Sequence, residues 1–182
     1  MDNKNWMQKQ KCVFLDRDGV LNRERGEYTY LPEDFEVISG VPEALAQLKQ
    51  HGYLLIVITN QAGIAKGLYR KAHVLACHQK LQETCRAQID AIYFAPNHPN
   101  YSASLARKPD SLMLEKAIAK YNIDSEESWM VGDSLRDLEA AEKVGVKAIL
   151  VGDKYEPGAH NWQVQDLWEA SQVILKSTKK PA

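Results

Sequence analysis

The sequence predicts an α/β fold, a Rossmann-like three-layer sandwich around a central parallel sheet. Short apolar runs alternate with helical patterns along the chain, as expected of strand–helix–strand units. The runs are nearly continuous in apolar residues rather than alternating, which is the mark of strands covered on both faces. Polar residues follow several of the runs, at what would be the carboxyl edge of the sheet, where ligands bind in such folds.

In chain order the predicted strands are 13–15, closing on Asp16; 53–58, closing on Thr59-Asn60; 91–94, closing on Ala95-Pro96; 129–131, closing on Gly132-Asp133; and 148–151, closing on Gly152-Asp153. The first predicted helix, 42–50, has Val41, Leu45 and Leu48 at helical spacing and stops at His51-Gly52, a glycine C-cap signal. Four more are predicted over 70–88, 111–121, 134–144 (ending at Gly145) and 166–176. There is no internal repeat and no low-complexity segment.

A chain of 182 residues suits one domain with a substantial core. The expected organisation is a flexible polar arm over 1–10 and a single domain over 11–178. The net charge of -1, from 23 basic and 24 acidic residues, gives no electrostatic reason to expect nucleic acid or an anionic membrane as partner. No apolar run approaches the roughly 20 residues needed to span a bilayer, and Met1 to Trp6 lacks the apolar core of a secretory signal. Cys12, Cys77 and Cys85 are an odd set without a metal-type pair, so they are expected to pack in the core of a reduced, cytoplasmic protein. A monomer is expected.

Asp16 stands where a chain leaves a buried strand, and a carboxylate there must be paired, metal-bound or catalytic. Asp18 follows two residues on, with Arg17 expected to point elsewhere if the strand continues, and Gly19 permits a sharp turn and close approach of a phosphate or metal. Asp133 closes another buried strand and Asp137 comes one helical turn later. The Asp16 and Asp133 carboxylates, with the backbone carbonyl of Asp18, offer the hard oxygen ligands that Mg²⁺ prefers, so that Asp16 could attack phosphorus. Asp133 could equally cap the helix that follows, and Asp137 could be a first-turn acid favoured by the helix dipole. Thr59, Asn60 and Gln61 can donate to phosphoryl oxygens, and Gly63 lets backbone amides join them. Lys108 could neutralise phosphoryl charge, and Arg107 could hold a second anionic group by paired bonds.

These four pieces, in this order, resemble the haloacid dehalogenase superfamily of phosphotransferases. Asp16-Arg17-Asp18-Gly19 matches its first motif, Thr59-Asn60-Gln61 the second, Lys108 the third, and Gly132-Asp133 with Asp137 the fourth. The resemblance implies that Asp16 is nucleophile and metal ligand, Asp18 general acid/base, and Asp133 a magnesium ligand, with Thr59 and Lys108 holding the phosphoryl group. Asp18 would protonate the leaving alcohol and then activate water against the aspartyl-phosphate.

Within the superfamily, 14–22, 58–65 and Arg107-Lys108-Pro109 look like the branch of heptose 1,7-bisphosphate 7-phosphatases and histidinol-phosphatases. The stretch Glu24-Arg25-Gly26-Glu27-Tyr28 matches the segment that touches the sugar phosphate there. Asn60, Gln61, Ala62 and Arg107 are implied to contact substrate as well. The segment between Gln61 and Ile92 is too short for a large cap domain. Many members carry a zinc loop, but its four ligand positions read Ala95, Asn97, Ser104 and Ala106 here. None is a zinc ligand, so no structural zinc is expected, and His98 and His160 read as surface residues.

The expected function is therefore Mg²⁺-dependent hydrolysis of a phosphomonoester on a small metabolite, foremost a heptose bisphosphate. Histidinol-phosphatase or another metabolite phosphatase is the alternative. A 3′-phosphatase for nucleic-acid ends is disfavoured by the neutral charge. A phospho-receiver domain is disfavoured because its phosphoacceptor would follow a later strand.

Overall fold

In a computed structural model that describes residues 8–177, the expected alternation is realised. The elements are β1 (Cys12–Leu15), α1 (Val41–Gln50), β2 (Leu54–Asn60), α2 (Lys71–Thr84), β3 (Ala91–Ala95), α3 (Leu112–Tyr121), β4 (Trp129–Gly132), α4 (Leu135–Glu142), β5 (Lys147–Val151), β6 (Gln163–Val164) and α5 (Leu167–Ser177). The six strands form one sheet in the order β3-β2-β1-β4-β5-β6, and every neighbouring pair is parallel.

Successive residues of β1 serve opposite faces of the sheet. Cys12 and Phe14 join a core with Met113, Leu114 and Ala117 of α3 and Ala140 and Ala141 of α4. Val13 and Leu15 join the other core, with Leu45 and Leu48 of α1, Cys77 and Leu81 of α2, and Ala170 and Ile174 of α5. Helices therefore cover both faces, and the unbroken apolar runs follow from that. Cys12, Cys77 and Cys85 are free and buried, in keeping with the packing role. No helix among the described residues is long and apolar enough to cross a membrane.

Several boundaries differ from expectation. Thr59 and Asn60 lie inside β2, because its pairing with β3 continues to Asn60↔Ala95; polar side chains do not end a backbone ladder. The helix expected over 70–88 stops at Thr84, and Arg86 and Ala87 take positive φ of 52° and 54°, a turn with no glycine to announce it. The two-residue β6 and the 3-10 turn Pro32–Asp34 are too short to leave a periodic pattern. Of the expected arm, 1–7 lie outside the described residues; Gln10 is tied down through bonds to Asn122 and Asp124 (2.9 and 2.8 Å).

The strand order brings the chemistry together. The chain runs outward from β1 to β2 and β3, then returns to place β4 on the other side of β1. β1 and β4 are thus adjacent strands at the reversal point, where the carboxyl ends of a doubly wound sheet leave a crevice. Asp16 follows the first and Asp133 the second. The Asp16 N–H donates to the Val131 carbonyl (2.9 Å), which carries the β1–β4 ladder to the edge of that crevice.

His78 of α2 is buried beside the ring of Phe94, with Nε2 unpaired among the described residues. Burial, reinforced by the positive charge of Arg17, pushes its pKa down to about 4. The unfolded chain therefore binds the extra proton first, and stability falls as pH drops from about 6.5 towards 4. His78→Leu should flatten this fall by on the order of 2–3 kcal/mol, read from urea-unfolding midpoints across that range.

Candidate active site

A cavity of about 450 Å³ opens at the carboxyl edge, lined by Asp16, Asp18, Thr59, Asn60, Gln61, Ala62, Arg107, Lys108 and Asp133, and by Glu24, Gly26 and Glu27 from the segment after β1. Of the expected site residues, Arg25 alone is not on its wall. Arg25 instead pairs with Asp34 at 3.0 Å.

At the centre is Lys108, with its side chain only 2% exposed. Its ammonium lies 2.9 Å from Asp16 Oδ1 and 2.6 Å from Asp137 Oδ1, and donates to the Ile58 carbonyl at 2.6 Å. All three N–H donors are thereby engaged. Burial alone would lower the lysine's pKa, but the two carboxylates outweigh it and hold it above the ordinary range. Asp16 responds to the same surroundings in the opposite sense. Burial lifts it to about 6 against the pull of Lys108, with help from the negative charges of Asp137 and Asp18. Asp16 Oδ1 also accepts from the Arg17 backbone N–H at 2.7 Å.

Lys108 arrives from outside the sheet, and Asn60 docks it. The Asn60 amide donates to the Lys108 carbonyl (3.0 Å) and accepts from its N–H (3.1 Å). Asn60, expected to contact substrate, therefore has its amide committed to the backbone of Lys108. Thr59 Oγ1 accepts from Gln61 Nε2 at 3.0 Å, which leaves its hydroxyl hydrogen available to donate into the cavity.

Asp137 is more than a first-turn acid. It is buried, and its Oδ2 accepts the Ser134 N–H at 3.1 Å while Oδ1 meets Lys108. Ser134 is the residue flanking α4, so Asp133 is not its cap and its carboxylate stays free for the cavity. Burial and repulsion from Asp16 raise Asp133 above the usual carboxylate range. One oxygen each from Asp16, Asp133 and Asp137 lie within 4.8 Å of one another. Gly19, at φ 83°, makes room for this set, since a Cβ there would come within 2.6 Å of Asp133 Oδ2. The donors are hard oxygens whose mutual repulsion a cation would relieve, so the residues fit a divalent ion such as Mg²⁺. The Asp18 carboxylate is not one of the three, which leaves its backbone carbonyl as the atom it could offer.

Arg17 departs from expectation. The strand ends at Leu15, so alternation no longer governs Arg17, and its buried guanidinium turns back onto Asp18 Oδ1 (Nη2 2.9 Å, Nε 3.3 Å) and the Thr29 carbonyl (2.7 Å). Asn22 Nδ2 adds a third side-chain donor to Oδ1 at 3.0 Å. Asp18 Oδ2 takes only Gln61 Nε2 among the described residues, at 3.3 Å, so it is the less encumbered of the two oxygens.

Tyr69, His98, Arg136 and Lys154 also line the cavity, and none was singled out for it in the sequence. Lys154 lies 3.6 Å from Asp133 Oδ2. They come from loops and the start of α4, and no sequence spacing ties them to the motifs. Within the loop 96–106, side chains carry hydrogen bonds. Asn97 donates to Ser102 (3.2 Å), Ser104 Oγ accepts the Ala106 N–H (3.3 Å), and Arg107 donates to the Asn97 carbonyl (3.2 Å).

Gly132 sits where an added Cβ would overlap the Asp137 side chain. Gly132→Ala should destabilise the fold by about 1–3 kcal/mol, the usual effect of overpacking, as measured by urea unfolding.

Residues 20–151 match the model of the haloacid dehalogenase-like hydrolases. The D-glycero-beta-D-manno-heptose-1,7-bisphosphate 7-phosphatase of Haemophilus ducreyi is 42% identical over 147 residues, 76% of this chain and 80% of that protein. The protein of the same name from Escherichia coli K12 is 36% identical over 186 residues, 94% of this chain and 96% of that one. Among solved structures, the D,D-heptose 1,7-bisphosphate phosphatase from B. bronchiseptica, complexed with magnesium and phosphate, superposes with a TM-score of 0.81 at 30% identity, covering 93% of this chain and all of that one. With its crevice of convergent carboxylates and its buried lysine, the chain belongs to the haloacid dehalogenase-like hydrolase family.

Proposed function

We propose that the chain is a Mg²⁺-dependent phosphomonoester hydrolase that removes the 7-phosphate of D-glycero-β-D-manno-heptose 1,7-bisphosphate. The observation that carries the reaction class is the clustering of Asp16, Asp133 and Asp137, with Lys108 paired to the first and the last and Asp18 held beside them in a separate set of bonds. The substrate reading rests on relatives of that name at 34–42% identity. The free buried thiols suit work in the reducing cytoplasm.

Asp16 and Asp133, with the Asp18 carbonyl, would hold the ion, which supplies positive charge against the phosphate. Lys108 keeps Asp16 ionised and aimed by binding Oδ1. An oxygen of Asp16 attacks phosphorus, and the bond from phosphorus to the sugar oxygen breaks as Asp18 Oδ2 gives that oxygen its proton. The products of this half are the free alcohol and an aspartyl-phosphate. Asp18, now a carboxylate, takes a proton from water as the water attacks phosphorus. The bond to Asp16 then breaks and phosphate leaves, with both aspartates restored. The Thr59 hydroxyl donates to a phosphoryl oxygen. Arg107 and the 24–27 segment, with Ala62 and the loop at Gln61, contact the rest of the substrate.

Asp16→Asn should lower turnover of both the heptose bisphosphate and an aryl phosphate by at least roughly 10³-fold, and retained activity would refute the nucleophile. Steady-state kinetics on the two anomers of the bisphosphate and on histidinol phosphate test the substrate. The β anomer should have the highest kcat/KM; a large preference for histidinol phosphate would overturn the heptose reading.

A further inference from the structure

Tyr69 lies in the loop between β2 and α2, close to the cavity wall, yet belongs to none of the motifs. Its hydroxyl donates to Gln61 Oε1 at 2.9 Å. The amide nitrogen of the same Gln61 donates to Asp18 Oδ2 and to Thr59 Oγ1, at 3.3 and 3.0 Å. Tyr69 and Gln61 are both buried, at 4% and 1% exposure, so water does not readily replace these bonds. A phenol proton can serve only an acceptor, and it holds the amide with its oxygen towards Tyr69 and its nitrogen towards Asp18. The reverse orientation would set the Gln61 oxygen against a carboxylate oxygen.

The ring is held as firmly as the hydroxyl. Tyr69 stacks on Tyr30 (centroids 5.1 Å apart, 13° between planes) and meets Tyr28 edge-on at 5.9 Å. A Cβ on Gly63 would overlap its ring, so a glycine there is what admits it. Tyr28 and Thr29 line the cavity, and the Thr29 carbonyl accepts from Arg17, which grips the other oxygen of Asp18. Both oxygens of Asp18 are therefore tethered to the same short segment. Oδ1 is tethered through Arg17, and Oδ2 through Gln61 and Tyr69.

We propose that Tyr69 is a positioning residue for the leaving-group proton transfer: through Gln61 it orients Asp18 Oδ2, and through Tyr28 and Tyr30 it ties that orientation to the wall that meets substrate. This inference rests on Asp18 being the general acid. An alcohol of high pKa needs that proton as its bond to phosphorus breaks, whereas a nitrophenolate leaves without it. Misplacing Oδ2 must therefore slow alkyl phosphates selectively.

The test is kcat/KM over a leaving-group series from an alkyl phosphate to p-nitrophenyl phosphate, for the parent protein, Tyr69→Phe, Gln61→Met, their double variant and Asp18→Asn. Tyr69→Phe retains the stacked ring and should fold, with a modestly lower unfolding midpoint because buried Gln61 Oε1 loses its donor, and with an unchanged inhibition constant for inorganic phosphate. It should lose roughly tenfold on the alkyl phosphate, or about 1.4 kcal/mol, and less than about twofold on p-nitrophenyl phosphate. The double variant should lose no more than Gln61→Met alone, since the two act in one chain. Equal loss along the series, no loss, or additive losses in the double variant would overturn the role of Tyr69. If Asp18→Asn is itself unselective, the general-acid assignment fails and this inference falls with it. A selective Asp18→Asn beside an unselective Tyr69→Phe overturns the Tyr69 role alone.

Discussion

Lys108 reaches Asp16, Asp137 and the Ile58 carbonyl from a single buried ammonium, and much of the site is arranged around that contact. A buried cation without partners would be strongly disfavoured, and removing one member of such a cluster typically costs about 3–5 kcal/mol. The arrangement draws on four segments that lie far apart in the chain. β1 delivers Asp16, β2 delivers the carbonyl and the Asn60 clamp, the loop before α3 delivers the lysine, and α4 delivers Asp137. Charge balance inside the cluster thus holds the carboxyl edge together while leaving Asp16 short of full compensation. Burial lifts its pKa to about 6 against the pull of Lys108, and a divalent ion is the natural complement of the clustered carboxylates.

The two aspartates of the first motif have separate supports, though only one residue lies between them. Asp16 leans on Lys108 and the Arg17 N–H. Asp18 leans on the Arg17 guanidinium, Asn22 and Gln61. One carboxylate can therefore act as nucleophile while its neighbour handles protons, a division set by environment rather than residue type. Arg17 serves both supports, through its backbone for one and its side chain for the other. The loop at 96–106 shows a related economy. Side-chain amides and hydroxyls at 97, 102 and 104 bond within it.

The motifs are readable because Asp16, Thr59 and Asp133 each follow an apolar run, and the edge rule of parallel sheets turns such positions into neighbours. Lys108, in the loop before α3, joins them by family resemblance. Residues acting within the site were harder to assign. Asn60 and Gln61 read as phosphate donors, yet their amides are taken by Lys108, Asp18, Thr59 and Tyr69. Arg25 shares the segment of Glu24 and Glu27, yet it turns to Asp34. Sequence position says that a side chain is near an edge, while its bonding partner depends on what other segments bring there.

The chain's apolar periodicity and motif spacing by themselves determined the parallel α/β architecture, five of the six strands and all five helices among the described residues to within a few positions, and the acidic identity of the site. These are local properties, since burial on both faces or on one helical stripe is written into neighbouring residues. Tertiary structure alone decided that Asp137, and not Asp18, contributes the third clustered carboxylate, that Arg17 folds back onto Asp18, and that Tyr69 reaches Gln61. Each of these depends on a rotamer and a partner supplied by another part of the fold. Asp16 was marked in advance by where its strand ends; its partners, Lys108 and the Arg17 N–H, were decided only by what the fold gathers around it.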